Sequence, residues 1–283
     1  MSDLSAGITD ASAGTGDASA GPPVALTIAG SDSGGAAGIA ADLATFAAHG
    51  VHGACVITAV TAQDTTGVHD VHLVPTDSVE AQLAAVLADL PVAAVKTGML
   101  GTAATVVSVS AALGPRSHSR PALVVDPVLV TTSGAVLGDG GVVAAYREHL
   151  LPVATVVTPN LDEARALTGC DGEPEELAAL LTKLGPVVVV TGGDPEATGT
   201  CTDWLAVPGG DPVPLAHPAV ATRNDHGTGC TYSAALAARL SAGADLATAA
   251  RAAAAYTTRQ LLISRTWTLG RGRGPIAHIG GTA

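Results

Sequence analysis

Short apolar runs recur along the whole chain, and most of them end in glycine or a small polar residue just before a helical segment. We predict strands at residues 24–29, 51–60, 68–74, 91–97, 122–125, 154–160, 186–191, 200–207 and 213–216. Helices are predicted at residues 39–49, 76–90, 102–113, 228–240 and 245–262, and directly after Asn160. Strands that alternate with helices in this way form mostly parallel sheets with both faces covered. The fold class is therefore α/β, three αβα layers, with residues 68–74 and 200–216 as antiparallel or edge additions.

The composition fits one large core and excludes several classes of partner. The chain has 283 residues, 47% of them hydrophobic and 2% aromatic, so aliphatic side chains must build the core. Its net charge is −12 and its only lysines are Lys96 and Lys183, which argues against nucleic acid or a membrane as a partner. We predict a disordered extension at residues 1–22, without the pattern of a signal peptide, a single domain at 23–283, and the cytoplasm as the compartment.

Polar residues gather where the predicted strands end. In parallel sheets the ligand lies beyond the carboxyl ends of the strands, so these residues are expected to meet there. Taken singly, each is more often a turn or cap residue, but together they indicate a site. They are Asp32, Gln63, Met99, Asp126, Asn160, Glu163, Thr191 and the loop that contains Cys230.

The segment from Arg223 to Cys230 is a glycine-containing turn that opens a helix of small residues. Unpaired N–H groups at a helix start favour an anion. A cysteine at that position has its thiolate stabilised, so Cys230 is a candidate base or nucleophile. The alternative is an ordinary glycine loop with Cys230 as a small buried filler.

The four cysteines are widely spaced, without a C-x-x-C pair, so the sequence indicates neither a zinc site nor a disulfide framework. The glycine loop at residues 30–38 lacks the G-x-G-x-x-G spacing of a dinucleotide site, which disfavours an NAD-binding oxidoreductase. A G-x-x-x-x-G-K-[ST] motif is also missing. An anion loop, a candidate base and acidic strand ends together suit phosphoryl transfer with Mg²⁺.

Several segments in chain order resemble the ribokinase-like superfamily, and within it the hydroxymethylpyrimidine/phosphomethylpyrimidine kinases of thiamine biosynthesis. The resemblance spans roughly residues 24–275 and closes on the specific H-G-T-G-C motif. It rests on residues 27–35, 41–43, 61–63, 96–100, 125–128, 158–164 and 226–231.

The resemblance implies a ribokinase-like fold, a homodimer, and two successive transfers that depend on ATP and Mg²⁺. A pyrimidine alcohol is phosphorylated first, and its monophosphate is then extended to the diphosphate. Cys230 would be the general base, with Gly227, Thr228 and Gly229 as the anion hole. By the same resemblance, the residues that bind the pyrimidine would be Gly30, Asp42, Gln63, Met99 and Val128. Those that bind the nucleotide would be Asn160, Glu163, Thr191 and Arg223. Asp126 and Glu163 would bind Mg²⁺.

Structural roles for the same residues stay open at this point. Asp126 could end a strand in a turn, Asn160 with Glu163 could be a helix cap, Met99 could fill the core, and Asp42 could be an exposed helix residue. A pyridoxal or pyridoxine kinase is the nearest alternative function. A pyrimidine-binding homologue with impaired turnover is another.

Two residues depart from the family's pattern. Lysines are usual where this chain has Thr132 and Thr191, so charge neutralisation near the phosphates should be weaker. We hypothesise that Arg223 compensates. Ala36 also stands where a third glycine would be unremarkable, and its methyl group could shift the backbone against the ligand.

Overall fold

The computed structural model describes residues 21–117, 120–129, 140–192 and 199–279. Residues 1–20, most of the predicted extension, lie outside them, as do Thr132 and Gly193. The strands are β1 (Val24–Ala29), β2 (His52–Ile57), β3 (Ala59–Asp64), β4 (Gly67–Leu73), β5 (Val92–Thr97), β6 (Ala122–Val125), β7 (Val156–Val157), β8 (Val187–Val190), β9 (Thr200–Ala206) and β10 (Val213–Pro218).

The helices are α1 (Gly38–Ala48), α2 (Thr76–Asp89), α3 (Ala103–Leu113), α4 (Gly140–Ala145), α5 (Leu161–Thr168), α6 (Pro174–Thr182), α7 (Thr228–Ser241) and α8 (Leu246–Ser264). A π-helical turn (Tyr146–Leu150) and a 3₁₀ turn (Leu151–Val153) follow α4. Among the described helices, none is long and apolar enough to cross a lipid bilayer.

The central sheet has eight strands in the order β10-β9-β8-β7-β6-β5-β1-β2. Every pair from β8 through to β2 is parallel, and β9 and β10 join antiparallel at one edge. The α/β prediction and the antiparallel addition at residues 200–216 are both confirmed.

Helices cover both faces of this sheet. Side chains alternate along each strand, so neighbouring residues face opposite sides. Val125 on β6 faces a core cluster that includes residues of α2, α3, α5 and α6. Its neighbour Val124 faces a second cluster with residues of α1, α7 and α8. Buried alanines over residues 234–238 of α7 allow this helix to pack close to the sheet.

The single strand predicted at residues 51–60 is wrong, because the structure has two strands there. Thr58 lies between β2 and β3, where its N–H donates to the carbonyl of Ala29 at 3.0 Å and its hydroxyl to that of Met99 at 2.6 Å. These bonds fix the point where the chain leaves the central sheet. Among the described strands, β3 then pairs only with β4. The hairpin arm predicted at residues 68–74 is the β4 half of this small antiparallel sheet.

Candidate active site

A cavity of about 610 Å³ runs along the carboxyl ends of the parallel strands. Its size lies within the range of small-molecule sites, about 300–1,000 Å³. Most of the residues predicted for the site line it, and they come from loops after different strands. They are Gly30, Asp32, Gln63, Met99, Asp126, Val128, Asn160, Glu163, Thr191, Gly227, Thr228, Gly229 and Cys230.

Asp42 is not among the residues that line this cavity, so its position gives no support to the predicted contact with the pyrimidine. Its side chain is fully buried between α1 and the sheet, so it is not an exposed helix residue either. Both of its oxygens accept from Lys96 Nζ at 2.9 Å, and Oδ2 also accepts from the Thr27 hydroxyl at 2.5 Å. A buried carboxylate needs such partners, so Asp42 holds Lys96 in place.

Arg223 is also outside the cavity lining, with an exposed side chain. The hypothesis that it replaces the family's lysines therefore has no support from its position. The arginine that does line the cavity is Arg273, whose guanidinium pairs with both oxygens of Asp225. We did not predict this residue because it lies some forty positions after the loop that it contacts.

The helix start at Gly227 depends on a close approach of two glycine loops. Gly227 has φ +92° and is the N-cap of α7. A Cβ at this position would overlap the carbonyl oxygen of Ala36 in the first loop. Only glycine allows both the left-handed backbone and the contact, so the α7 N-terminus opens directly onto the cavity.

Gly227→Ala is therefore expected to lower the free energy of unfolding by at least about 2 kcal/mol. The left-handed backbone alone costs an alanine about 1–2 kcal/mol, and the overlap with Ala36 adds to it. Urea unfolding of both proteins measures the difference.

Gly229→Ala is the matched control, because an added Cβ there meets nothing within 4 Å. Since Gly229 lies inside α7, alanine should leave the stability unchanged or raise it by up to about 1 kcal/mol. Equal losses for the two variants would contradict the role given to Gly227.

Cys230 occupies the first turn of α7 and is half-buried in the cavity wall. Burial raises the pKa of its thiol to about 12; the charge of Lys96 opposes this shift, while Asp126 and Asp42 add to it. The thiolate predicted from the helix N-terminus is therefore disfavoured in the ligand-free cavity. Burial of the thiol is the main cause of the raised pKa, and the two carboxylates add to it.

Asp126 and Glu163 form an acidic pair at the floor of the cavity. Both are 5% exposed. Burial, with the charge of Asp126 added, raises the pKa of Glu163 to about 8. Burial also raises the pKa of Asp126, against the charge of Lys96, whose Nζ is 3.7 Å from Oδ2. Burial and the repulsion between the two groups therefore favour their protonated forms.

Asn160 and Glu163 are also a capping box at the start of α5. The Asn160 side chain accepts from the Glu163 N–H at 2.9 Å, and the Glu163 carboxylate accepts from the Asn160 N–H at 3.0 Å. The helix cap that we named as an alternative role for these two residues is therefore present. Each carboxylate oxygen has a second lone pair, so the cap does not prevent Glu163 from binding a further group.

His226 also lines the cavity, although we did not predict it as a site residue. Its Nε2 lies 3.0 Å from the Gln63 amide nitrogen and 3.2 Å from Asp32 Oδ2. Asp32 in turn accepts N–H groups of Gly34, Ala36 and Ala37 at 2.8–3.0 Å, which shapes the first glycine loop. The H-G-T-G-C motif was the available signal, since its first residue is this histidine.

The glycine-rich segment at residues 270–275 packs against the 223–230 loop. The His226 N–H donates to the Gly274 carbonyl at 3.1 Å, and the Gly274 N–H donates to that of Arg223 at 3.0 Å. Residue 274 must be glycine, since a Cβ would overlap the Asn224 amide. The segment therefore holds the anion loop in shape.

A family model described as phosphomethylpyrimidine kinase matches residues 32–277. This match covers both glycine loops, the acidic pair and the closing segment. The chain belongs to the phosphomethylpyrimidine kinase family.

Relatives in this family match over almost their full length. A hydroxymethylpyrimidine/phosphomethylpyrimidine kinase of Synechococcus elongatus is 46% identical over 266 residues, which is 91% of this chain and 97% of the relative. The enzyme of the same name from Rhizobium meliloti is 46% identical over 261 residues, 90% of this chain and 97% of the relative.

Solved structures of similar proteins include pyridoxal kinases. One, an ADP complex of the Bacillus subtilis pyridoxal kinase, has a TM-score of 0.80 at 35% identity and covers 91% of this chain and 97% of its own. A phosphomethylpyrimidine kinase from Clostridium difficile has a TM-score of 0.71 at 33% identity, over 83% of this chain and 98% of its own. The kinase fold expected from the sequence is confirmed.

Proposed function

We propose that this protein phosphorylates 4-amino-5-hydroxymethyl-2-methylpyrimidine with ATP, and then extends the monophosphate to the diphosphate, in thiamine biosynthesis. The names of the full-length relatives support this activity. ADP and AMP-PCP in related pyridoxal kinase structures support ATP as the phosphoryl donor.

The observation that carries the proposal is the order of the lining residues along the sheet edge. Gly30, Met99 and Val128 follow β1, β5 and β6, on one side of the cavity. Asn160 and Thr191 follow β7 and β8, on the other side. Helix α7 packs across β5 and β6, and its Ser233 hydroxyl donates to Asp126 just after β6 at 2.9 Å. Its N-terminus therefore lies near the end of β6, next to β7, where the second side begins. An acceptor and a donor bound at the two sides would meet at Cys230.

In this arrangement Cys230 accepts the proton of the acceptor hydroxyl, and the N–H groups of Gly227, Thr228 and Gly229 hold the transferring phosphoryl group. Gln63 faces the same cavity with an amide that can both donate to and accept from a pyrimidine ring. Its contact with His226 fixes the position of that amide.

Asp126 and Glu163 would hold Mg²⁺, and their raised pKa values fit this role because a dication would relieve the repulsion between two buried carboxylates. Oxygen ligands are those that Mg²⁺ prefers; the bound ion would neutralise phosphate charge and favour the nearby thiolate. Asn160 and Thr191 would contact the nucleotide phosphates.

A homodimer is also part of the proposal. The exposed side chains of Val60 and Leu73 on the small β3–β4 sheet offer an apolar surface for the contact between the two subunits.

The test is ADP release by the purified protein, with the pyrimidine alcohol, its monophosphate and pyridoxal as separate acceptors. We expect turnover with both pyrimidines, because the family performs both steps. Release with the alcohol alone would remove the second step from the proposal.

A pyridoxal kinase is the second candidate, since the solved structures with TM-scores of 0.79–0.80 at 33–35% identity are pyridoxal kinases. Turnover with pyridoxal alone would support it against the first. Binding of the pyrimidine without any ADP release would instead indicate the homologue with impaired turnover.

A further inference from the structure

We propose that Cys201, Asp203 and His217 form a binding site for a zinc-type divalent metal ion at the β9–β10 edge of the cavity. One ligand atom of each residue lies within 4.8 Å of the others. All three residues line the cavity. They are separate from the acidic pair to which we assign Mg²⁺.

The strand pairing itself brings these residues together. Cys201 and Asp203 are two positions apart on β9, so their side chains emerge on the same face of the strand. His217 on β10 is the direct cross-strand partner of Cys201. Regular strands hold all three, which makes the cluster better ordered than one built on a loop.

The distances suit a tetrahedral ion. Zinc binds sulfur at about 2.3 Å and nitrogen or oxygen at about 2.0–2.2 Å, so its ligands lie about 3.3–3.8 Å apart. His217 Nε2 and Asp203 Oδ1 are already 3.4 Å apart. The remaining separations are within 4.8 Å, so binding would draw these atoms closer by at most about 1.5 Å. Thr258 Oγ1 lies 3.4 Å from His217 Nδ1 and can orient the ring from behind, as second-shell groups do for metal-bound histidines.

An unpartnered buried oxygen is the independent sign of a missing ligand here. Asp203 is 2% exposed, and its Oδ2 has no hydrogen-bond partner among the described residues. Its Oδ1 already accepts from the Gly192 N–H at 2.8 Å. A buried carboxylate oxygen without a partner is costly, and a cation is the partner that suits it best.

The Tyr232 hydroxyl, in the same cavity wall, is another buried polar atom without a hydrogen-bond partner among the described residues. Burial, with the charge of Asp203 added, raises the pKa of Tyr232, so the phenol stays a neutral donor. It can donate to a water molecule that completes the coordination from the cavity side.

The chemistry of the donors selects the ion. Thiolate and imidazole ligands suit Zn²⁺ and similar transition metals, whereas Mg²⁺ and Ca²⁺ prefer oxygen. One thiolate and one carboxylate balance the charge of a dication, so the buried site is neutral when filled. Binding displaces the protons of the Cys201 thiol and of the His217 ring.

The experiment is a titration of the metal-free, full-length protein with Co²⁺ in the absence of nucleotide, read from the thiolate-to-cobalt charge-transfer band. We expect saturable binding of one ion per chain, displaced by Zn²⁺ and not by excess Mg²⁺. Cys201→Ser should abolish the band. His217→Gln should weaken binding by more than the roughly 100-fold typical of a lost outer-shell partner.

Cys170→Ser is the matched control and should leave the titration unchanged, because Cys170 is exposed and is not among the residues that line the cavity. A band that persists in Cys201→Ser, a band lost in Cys230→Ser, or the absence of saturable binding would each overturn the proposal. Circular dichroism of every variant separates ligand loss from misfolding, and His217→Gln serves if Cys201→Ser does not fold. Because nucleotide and acceptor are left out, failure here does not bear on the proposed kinase reaction.

Discussion

Cys230→Ala is expected to lower kcat for phosphorylation of the pyrimidine alcohol by roughly 10²–10⁴-fold, the usual effect of removing a general base. The apparent affinity for the pyrimidine should change little, because the residues that we assign to the ring lie on other loops. Steady-state kinetics of ADP release give kcat and KM separately and so distinguish the two effects.

The matched control for this experiment is Cys55→Ala, a half-buried cysteine on β2 that is not among the cavity-lining residues. It should leave kcat unchanged. Cys230→Ser tests the chemistry further, since a serine hydroxyl loses its proton less readily than a thiol and should restore little activity. An unchanged kcat in Cys230→Ala would remove Cys230 from the base role.

Lys96→Met is expected to lower the free energy of unfolding by about 3–5 kcal/mol, the usual cost of leaving one member of a buried ion pair unpaired. Lys96 and Asp42 are both fully buried and 2.9 Å apart. Burial lowers the pKa of Lys96, but the charge of Asp42, with Cys230 and Asp126, outweighs burial and raises it. The lysine therefore stays charged. Urea unfolding curves measure the loss.

Two further variants test this explanation. Arg165→Met removes an exposed pair with Asp162 and should cost less than about 1 kcal/mol. Adding Asp42→Asn to Lys96→Met should recover part of the loss, because the uncompensated carboxylate is then gone. If Lys96→Met costs no more than Arg165→Met, the buried pair does not contribute as described.

The parallel strands and the position of the site were predictable, because both follow from local patterns. A run of valines such as β8 needs only hydrophobicity to be recognised, and strand-end polar residues share one edge in any parallel sheet. The crossing at Thr58 was not predictable. The apolar pattern of residues 51–60 continues through it, and what divides the segment is hydrogen bonding to Ala29 and Met99.

Contacts between residues far apart in the chain account for the other errors. In the sequence Asp42 is an ordinary polar helix residue. Its buried role depends on Lys96, which lies 54 positions later and donates to it. The helix N-terminus predicts a reactive thiolate at Cys230, but burial of the thiol, with the charges of Asp126 and Asp42 added, raises its pKa instead. Cys201 and His217 share no sequence motif, since only the β9–β10 register brings them opposite each other.

The docking of residues 272–276 has a consequence for the order in which the protein becomes active during synthesis. His226 is held between the Gly274 carbonyl and the Ile276 N–H, and Asp225 is paired with Arg273. The loop at residues 223–230 therefore acquires its shape only after residues 272–276 have left the ribosome. The sheet and most of its helices can assemble earlier, so the nascent chain would hold a folded sheet before this loop takes its final form.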